Sequence, residues 1–439
     1  MKNILVLGAG LVARPLVQYL LDQPDIHVTV ASRTVSKAQA LIGERPNGRA
    51  LAFDIERDGQ SLGALVAGCD LAVSLLPYIH HLAVARECIA HGVHLVTTSY
   101  VKPEMRALDG AAKEAGVILL NEIGLDPGID HMSAMRIIHR IHNAGGQVLS
   151  FRSYCGGLPA PDANDNPFGY KFSWSPRGVV LAGRNDALYL ENGQRVEVPN
   201  RRLFATRHTV YVEGVGDLDA YPNRDSLSYI ETYGIPETQT MYRGTLRYPG
   251  WCATWQKFVE LGLLDLTERD DLGRLTFHSL LARMIGQPQT TDLRRDLAAH
   301  LDLPADSDVL DRFAWLGLLS DEPLPPERTI LDVLAAQLQK KLVYGERERD
   351  MIVLLHDFVA RYPDRQEHIT STMVDFGIPG GDSSMARTVS LPAAIACCLI
   401  LDGQIRLTGV HIPVRPEIYE PVLDELERMG IRMQERVES

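Results

Sequence analysis

The run "ILVLGAGLVA" (Ile4 to Ala13) constrains the fold of this chain more than any other stretch. Its apolar start reads as a strand, Gly-Ala-Gly as a tight turn, and the remainder as the start of a helix. Gly8 permits the turn, Gly10 lets backbone approach a pyrophosphate, and Ala13 takes the third position, where a small residue allows the helix to pack on the strand. The backbone N–H groups at the helix start would then face the anion. Alone, GxGxxA is a weak signal, and a plain strand-to-helix turn is the competing reading. Here it opens the chain, and a second strand, "IHVTVA", ends roughly 20 residues later, the context a dinucleotide site requires.

In such a site an Asp or Glu usually closes the second strand and holds the ribose hydroxyls of NAD. This strand ends instead in Ser32-Arg33-Thr34. A 2′-phosphate would be repelled by an acid there, whereas a guanidinium pairs with it bidentately and the flanking hydroxyls donate to it. The residues therefore favour NADP over NAD. The plainer alternative is a solvated arginine at a strand end. Asp54 and Ile55 follow the third strand, placed to flank an adenine. Leu76, Pro77, Thr98, Ser99 and Tyr100 fall where later strands end, the side on which open α/β sheets bind ligands.

Six strand-like runs alternate with helical ones over the first ~125 residues, the pattern of a doubly wound parallel sheet. From Val148 to Gly250 the chain turns to short strands, with many Gly and Pro and most of the aromatics, and reads as a second domain built on a sheet. Trp255 to Leu342 is helical in pattern. "DMIVLLHDFVARY" returns to strand-like alternation and is expected to join the middle sheet with "EHITSTMVDFG". "SMARTVSLPAAIACCLILDG" reads as a buried helix and "PEIYEPVLDELERMG" as a later one.

At 439 residues the chain is long enough for two or three domains. A net charge of −12 argues against non-specific nucleic-acid binding, so an anionic substrate would need local arginines. The six cysteines show no metal-type spacing, and neither they nor His80-His81 suggest a metal site. A reducing cytoplasm is the expected compartment. The apolar run at "SLPAAIACCLIL" is judged too short to span a bilayer, no membrane partner is expected, and the N-terminus does not read as a signal peptide.

Together, "GAGLVARP", "SLLPY", "VTTSY", "NEIGLDPGIDH", "SYCGGLPAP", "NPFGYKFSWSPRGV", "AYPNRDS" and "RGTLRYPGW" resemble the saccharopine dehydrogenase family of the glutamate-forming type. The match runs over essentially the whole chain, through "WLGLLSD", "ERDMIVLLHDF" and "SSMARTVSLPAAIACCLILDG". It implies an NADP-dependent oxidoreductase of lysine metabolism, acting on a CH–NH bond. Glutamate and α-aminoadipate semialdehyde are joined as an imine and reduced to saccharopine, or saccharopine is oxidised in reverse. It implies an α/β fold: a Rossmann domain over residues 1–125 rejoined by about 390–439, a substrate-binding and dimerisation α/β domain on a mixed sheet over 126–250 and 345–389, and an all-helical domain over 251–344. A homodimer is implied. Family members that break lysine down carry an acid where this chain has Arg33, and those that synthesise it carry a basic residue.

The resemblance also assigns roles. Cofactor contacts would come from Gly8, Gly10, Leu11, Val12, Ala13, Ser32, Arg33, Thr34, Asp54, Ile55, Leu76, Pro77, Thr98, Leu125, Pro127 and His131. His131 also has a plain reading as a packed histidine at a helix start. Substrate contacts would come from Ser99, Tyr100, Asp126, Trp174, Arg224, Arg243 and Thr245. Arginine suits the carboxylates of saccharopine because its fork is planar and permanently charged, although an internal salt bridge is the alternative for each. Arg247 and Lys171 fit surface or structural pairing equally well. Proton transfer falls to Asp126, Cys155 or Tyr100. Asp126 could equally cap the following helix, and Cys155 could be a small buried hydrophobe. The rival readings are a polyamine imine reductase of the carboxynorspermidine type, which should lack the two-arginine clamp, and a non-enzymatic NADP-binding regulator, which should lack the candidate proton-transfer groups.

Overall fold

The computed structural model describes residues 1–438. Six strands lie in the N-terminal segment: β1 (Lys2–Leu7), β2 (Ile26–Ser32), β3 (Gly48–Ala52), β4 (Leu71–Ser74), β5 (His94–Val96) and β6 (Ile118–Leu120). The middle of the chain adds β7 (Gln147–Pro159), β8 (Ala187–Glu191), β9 (Gln194–Val198), β10 (His208–Val212), β11 (Gly216–Pro222), β12 (Thr240–Arg247), β13 (Asp350–Arg361) and β14 (Gln366–Phe376). Near the C-terminus are β15 (Gly409–His411) and β16 (Gln434–Glu438).

The chain forms two compact units, one of residues 1–146 and 381–435, the other of 147–380 and 436–438. The first holds a seven-stranded sheet in the order β15-β6-β5-β4-β1-β2-β3. Its neighbours all run parallel. The order reverses at β1, where β2 lies on one side and β4 on the other, and that switch point is where doubly wound sheets open a ligand crevice. The central strands are buried on both faces, which is why "ILVL", "LAVS" and "ILL" read as continuous apolar runs rather than alternations.

The division differs from the expected segmentation in two ways, each with a packing reason. The helix Ile129–Asn143 belongs to the first unit rather than the second. It packs on the helix Pro416–Arg428, and Arg136 pairs with Glu420, Asp424 and Glu427 at 3.0, 2.7 and 2.7 Å. The helices from Trp251 to Lys341 do not stand apart either. One core joins Trp251, Trp255, Phe258, Phe313 and Leu334 to Phe168, Tyr170, Val180 and Phe204. The apolar residues of the 168–204 stretch have no separate core to fill, so they bind the helical stretch into the sheet unit.

The helix Ser384–Leu401 corrects the expectation for the long apolar run. It has 18 residues with a mean hydropathy of 1.7, long and apolar enough to cross a membrane by length and composition. The helix begins six residues before the apolar dodecamer, at Ser384, capped by Ser383. It is 78% buried within the protein, packed against the helices Ala13–Leu21 and Pro416–Arg428 of the same unit. Its apolar surface is thus covered by protein.

The second unit is built on a nine-stranded mixed sheet, β10-β11-β12-β7-β13-β14-β16 with β8 and β9 attached beside β12. The pair β12–β7 is parallel, and β11–β12, β7–β13 and β13–β14 are antiparallel. On one face Tyr154, Leu158, Leu218, Ala220, Tyr242, Leu246, Met351, Val353 and Leu355 form an apolar cluster. Because side chains alternate along a strand, the residues between them point to the opposite face.

Candidate functional site

In the first unit the glycine turn is stereochemically committed. Gly8 has φ +113°, and a Cβ there would meet the Leu75 carbonyl oxygen at 3.0 Å. A Cβ on Gly10 would meet nothing within 4 Å, so the backbone faces open space where a diphosphate would lie. Leu11 is exposed, and Ala13 is buried under the sheet. Val12, preceding the helix Ala13–Leu21, provides no side-chain cap, leaving the helix N–H groups for an anion. These residues fit a dinucleotide.

At the end of β2, Arg33 is exposed and makes no ion pair among the described residues. It stands just before the helix Val35–Ile42, whose N-cap Thr34 makes no side-chain capping bond. Ser32 Oγ accepts from Thr34 N at 3.3 Å. An unpaired guanidinium, two hydroxyls and a helix start form an anion-binding corner. Asp54 instead uses its carboxylate to cap the short helix Ile55–Asp58, accepting from Glu56 N at 3.2 Å. Leu76 and Thr98 are half-buried and Pro77 exposed, all beyond strand ends.

Three residues after β5 are each held by a different partner. The Ser99 hydroxyl lies 2.8 Å from His81 Nε2. Tyr100 Oη donates to Asp126 Oδ1 at 2.8 Å. Val101 N donates to Glu122 Oε1 at 2.8 Å. The loop carrying Asp126 is braced in turn. Gly124 N donates to the Pro127 carbonyl at 2.9 Å, and Gly128 N donates to Asp130 Oδ1 at 2.6 Å. A Cβ on Gly128 would lie 2.0 Å from the Gly124 carbonyl oxygen, so only glycine closes this turn. Leu125, Pro127 and Gly128 are buried, and Asp126 alone of the "LDPG" turn is partly exposed.

His131 is fully buried, with Nε2 2.8 Å from Glu122 Oε2. The packed reading describes its placement: it braces Glu122, which has φ +58° and holds Val101. A left-handed backbone at a non-glycine residue is sparsely populated and is maintained by such surroundings.

In the second unit β12 carries Arg243, Thr245 and Arg247 on one face, opposite the apolar cluster. In register beside them on β7 lie Ser153, next to Arg243, and Cys155, next to Thr245. The sheet thus brings Arg243, Thr245 and Cys155 together. Arg243 is 3% exposed, and its guanidinium stacks over Tyr229 at 4.5 Å. Arg224 is fastened alongside: Asn223 N donates to the Arg243 carbonyl at 2.8 Å, and Arg243 N donates to Ser226 Oγ at 3.0 Å. Arg224 itself is exposed and has φ +52°. Trp174 is half-buried against the aromatic core. Cys155 is 8% exposed.

The two basic residues of open assignment separate. Lys171 pairs with Asp165 at 2.8 Å and Glu348 at 2.6 Å, a structural ion pair. Arg247 is buried and, among the described residues, pairs with no acid. It is 6% exposed, donates from Nη1 to the Leu246 carbonyl, stacks over Tyr170 and Trp251 at 4.9 and 5.5 Å, and leaves Nε without a partner. Sequence reasoning also missed His81, which lies 2.8 Å from the Ser74 hydroxyl and 2.8 Å from that of Ser99. The adjacent pair His80-His81 gave no signal beyond a helix start.

Two family models match: the saccharopine dehydrogenase NADP binding domain over residues 4–120 and the saccharopine dehydrogenase C-terminal domain over residues 124–431. Saccharopine dehydrogenase (NADP(+), L-glutamate-forming) of Schizosaccharomyces pombe is 42% identical, over 100% of this chain and 99% of that protein. The mitochondrial alpha-aminoadipic semialdehyde synthase of Bos taurus is 40% identical over 98% of this chain and 47% of that longer protein. The solved apo histidine-tagged saccharopine dehydrogenase (L-Glu forming) from Saccharomyces cerevisiae matches with a TM-score of 0.91 at 41% identity, over 100% of both chains.

Proposed function

This chain belongs to the saccharopine dehydrogenase family, and we propose how its own residues serve the NADP-dependent interconversion of saccharopine with L-glutamate and α-aminoadipate semialdehyde. The chain is an oxidoreductase of lysine metabolism with an NADP-binding Rossmann domain. The observation that carries the site assignment is the register of β12 on β7, which aligns Arg243, Thr245 and Cys155 on one face.

NADP, when bound, supplies the hydride acceptor or donor. Gly8, Gly10, Leu11, Val12 and Ala13 would hold its diphosphate, and Arg33 with Ser32 and Thr34 its 2′-phosphate. Saccharopine carries three carboxylates. Arg224 and Arg243 are the first two receptors, with charge-assisted bonds that suit planar anions. The buried, acid-free guanidinium of Arg247 is suited to the third, because a cation there gains from any anion that reaches it. Oxidation needs a deprotonated amine, then water added to an imine, then collapse of the carbinolamine. Asp126 and Tyr100 share one hydrogen bond and can relay a proton between them. Cys155 is a second proton-transfer candidate on the arginine face. Ser99 and Tyr100 contact substrate in this reading, and Trp174 and Thr245 line its pocket.

The arginine pair and the retained Asp126 and Cys155 speak against the polyamine and regulator alternatives. A reducing, cytoplasmic setting is part of this reading. Family resemblance supports a homodimer. The test is oxidation of NADPH mixed with glutamate and α-aminoadipate semialdehyde. Oxidation that requires both substrates supports the proposal, and oxidation that ignores glutamate contradicts it.

A further inference from the structure

His81 begins the helix His81–His91, yet its ring turns into the ends of two strands. It is buried, and three hydroxyls surround it. Ser74 Oγ, at the end of β4, lies 2.8 Å from Nδ1. Ser99 Oγ, beyond β5, lies 2.8 Å from Nε2, and Thr97 Oγ1 lies 3.3 Å from the same nitrogen. A buried side chain whose only task is to fill space would be apolar, since each polar group taken from water must recover its hydrogen bonds. This imidazole recovers them at the C-terminal ends of adjacent parallel strands, the ligand side of the sheet.

Ser99 is half-exposed and its backbone is already fixed. Its carbonyl accepts from Glu122 N at 3.2 Å, and its N–H reaches Thr97 Oγ1 at 3.4 Å. The hydroxyl remains to be oriented, and His81 Nε2 lies 2.8 Å from it. Burial, reinforced by the neighbouring His80, pushes the His81 pKa down to about 4, so near neutrality the ring carries one proton. Ser74 is itself buried, and among the described residues His81 Nδ1 is the one partner its hydroxyl finds. A hydroxyl in that position donates rather than leave its hydrogen unsatisfied. Nδ1 therefore accepts, the ring proton sits on Nε2, and Nε2–H donates to Ser99 Oγ.

We propose that His81 is a positioning residue that, through the chain Ser74–His81–Ser99, turns the Ser99 hydroxyl into a donor aimed at an anionic oxygen of bound substrate. With Ser99 Oγ already accepting from Nε2–H, its own hydrogen is free for a carboxylate or carbinolamine oxygen. The proposal rests on the reading of Ser99 as a substrate contact.

The test uses the full-length protein with Ser99→Ala, His81→Leu, His81→Gln and the double variant Ser99→Ala/His81→Leu. The carboxamide of Gln can place an N–H near the position of Nε2, whereas Leu places none. Steady-state kinetics with saccharopine are read beside NADPH affinity and thermal melting. The proposal expects Ser99→Ala and His81→Leu each to lower kcat/KM about tenfold or more, the double variant to fall no further, and His81→Gln to regain most of the loss, with NADPH affinity unchanged. If Ser99→Ala leaves kcat/KM unchanged, the substrate-contact reading of Ser99 fails, and this proposal with it. If Ser99→Ala falls but His81→Leu does not, or if the two losses multiply, Ser99 stands and the role of His81 is overturned. Nitrogen-15 shifts of the His81 ring in the wild-type protein give a readout free of folding effects. A proton on Nε2 at pH 7 supports the proposal, and a proton on Nδ1 overturns it.

Discussion

Tyr100 Oη donates a 2.8 Å hydrogen bond to Asp126 Oδ1, joining the residue beyond β5 to the turn beyond β6. Both residues are partly exposed, Asp126 between buried Leu125 and Pro127. Asp126→Ala should lower turnover about 10²–10⁴-fold. Tyr100→Phe should cost less, and the two losses should not multiply in the double variant, because the phenol and the carboxylate share one hydrogen bond. Single-turnover kinetics measure this, and multiplying losses would show that the two act separately. Cys155→Ala should lower turnover without abolishing it.

The cofactor corner gives a second expectation. Arg33→Asp removes the cation and adds an anion able to accept from ribose hydroxyls. A charge-assisted contact is worth about 1.5–3 kcal/mol, so the ratio of kcat/KM for NADP to that for NAD should fall at least tenfold. In the wild type the preference should weaken with added salt, since an exposed phosphate–guanidinium pair is screened. A ratio that does not move with the substitution would remove Arg33 from recognition.

Arg243→Ala and Arg224→Ala should each raise the KM for saccharopine while leaving NADP affinity nearly intact. Loss of a desolvated charge partner costs on the order of 2–5 kcal/mol. The Arg243 effect should be the larger, because that guanidinium is buried and stacked on Tyr229 while Arg224 is exposed. Unchanged substrate affinity in both variants would refute the clamp.

Stability should carry a signature of His81. Its folded pKa of about 4 lies below the ordinary 6.5. Between those values the unfolded chain binds a proton that the folded chain does not, so stability is full above pH 6.5 and falls as pH drops toward 4. A shift of this size corresponds to roughly 3 kcal/mol. His81→Gln should flatten that part of the stability–pH curve, and urea denaturation at pH 7 and pH 4.5 would show it.

Much of the first unit was legible because its signals are local. The Gly8–Gly10 turn, the missing acid at Arg33 and the apolar strands each state their own geometry within a few residues. The second unit was legible mainly through resemblance. Its central fact, the parallel pairing of β12 with β7, joins residues about 90 positions apart and leaves no periodic trace in either strand. The same limit hid the long-range polar contacts. His81 is an unremarkable helix-start residue until β4 and β5 bring Ser74 and Ser99 to it. Glu122 and His131 lie on opposite sides of a glycine-rich turn, and only its closure pairs them. Arg247 could not be placed from sequence because its partners are the ring faces of Tyr170 and Trp251 rather than an acid. The shared core of aromatic residues on both sides of residue 250 was likewise illegible, because it joins rings far apart in the chain.

The most direct test follows the purified protein with saccharopine as sole carbon substrate and NADP or NAD as oxidant, with products identified by chromatography. The residues read here predict one glutamate and one α-aminoadipate semialdehyde for each NADPH formed, at a rate with NADP at least ten times that with NAD. Lysine and 2-oxoglutarate as products, no turnover of saccharopine, or equal rates with the two cofactors would contradict the account.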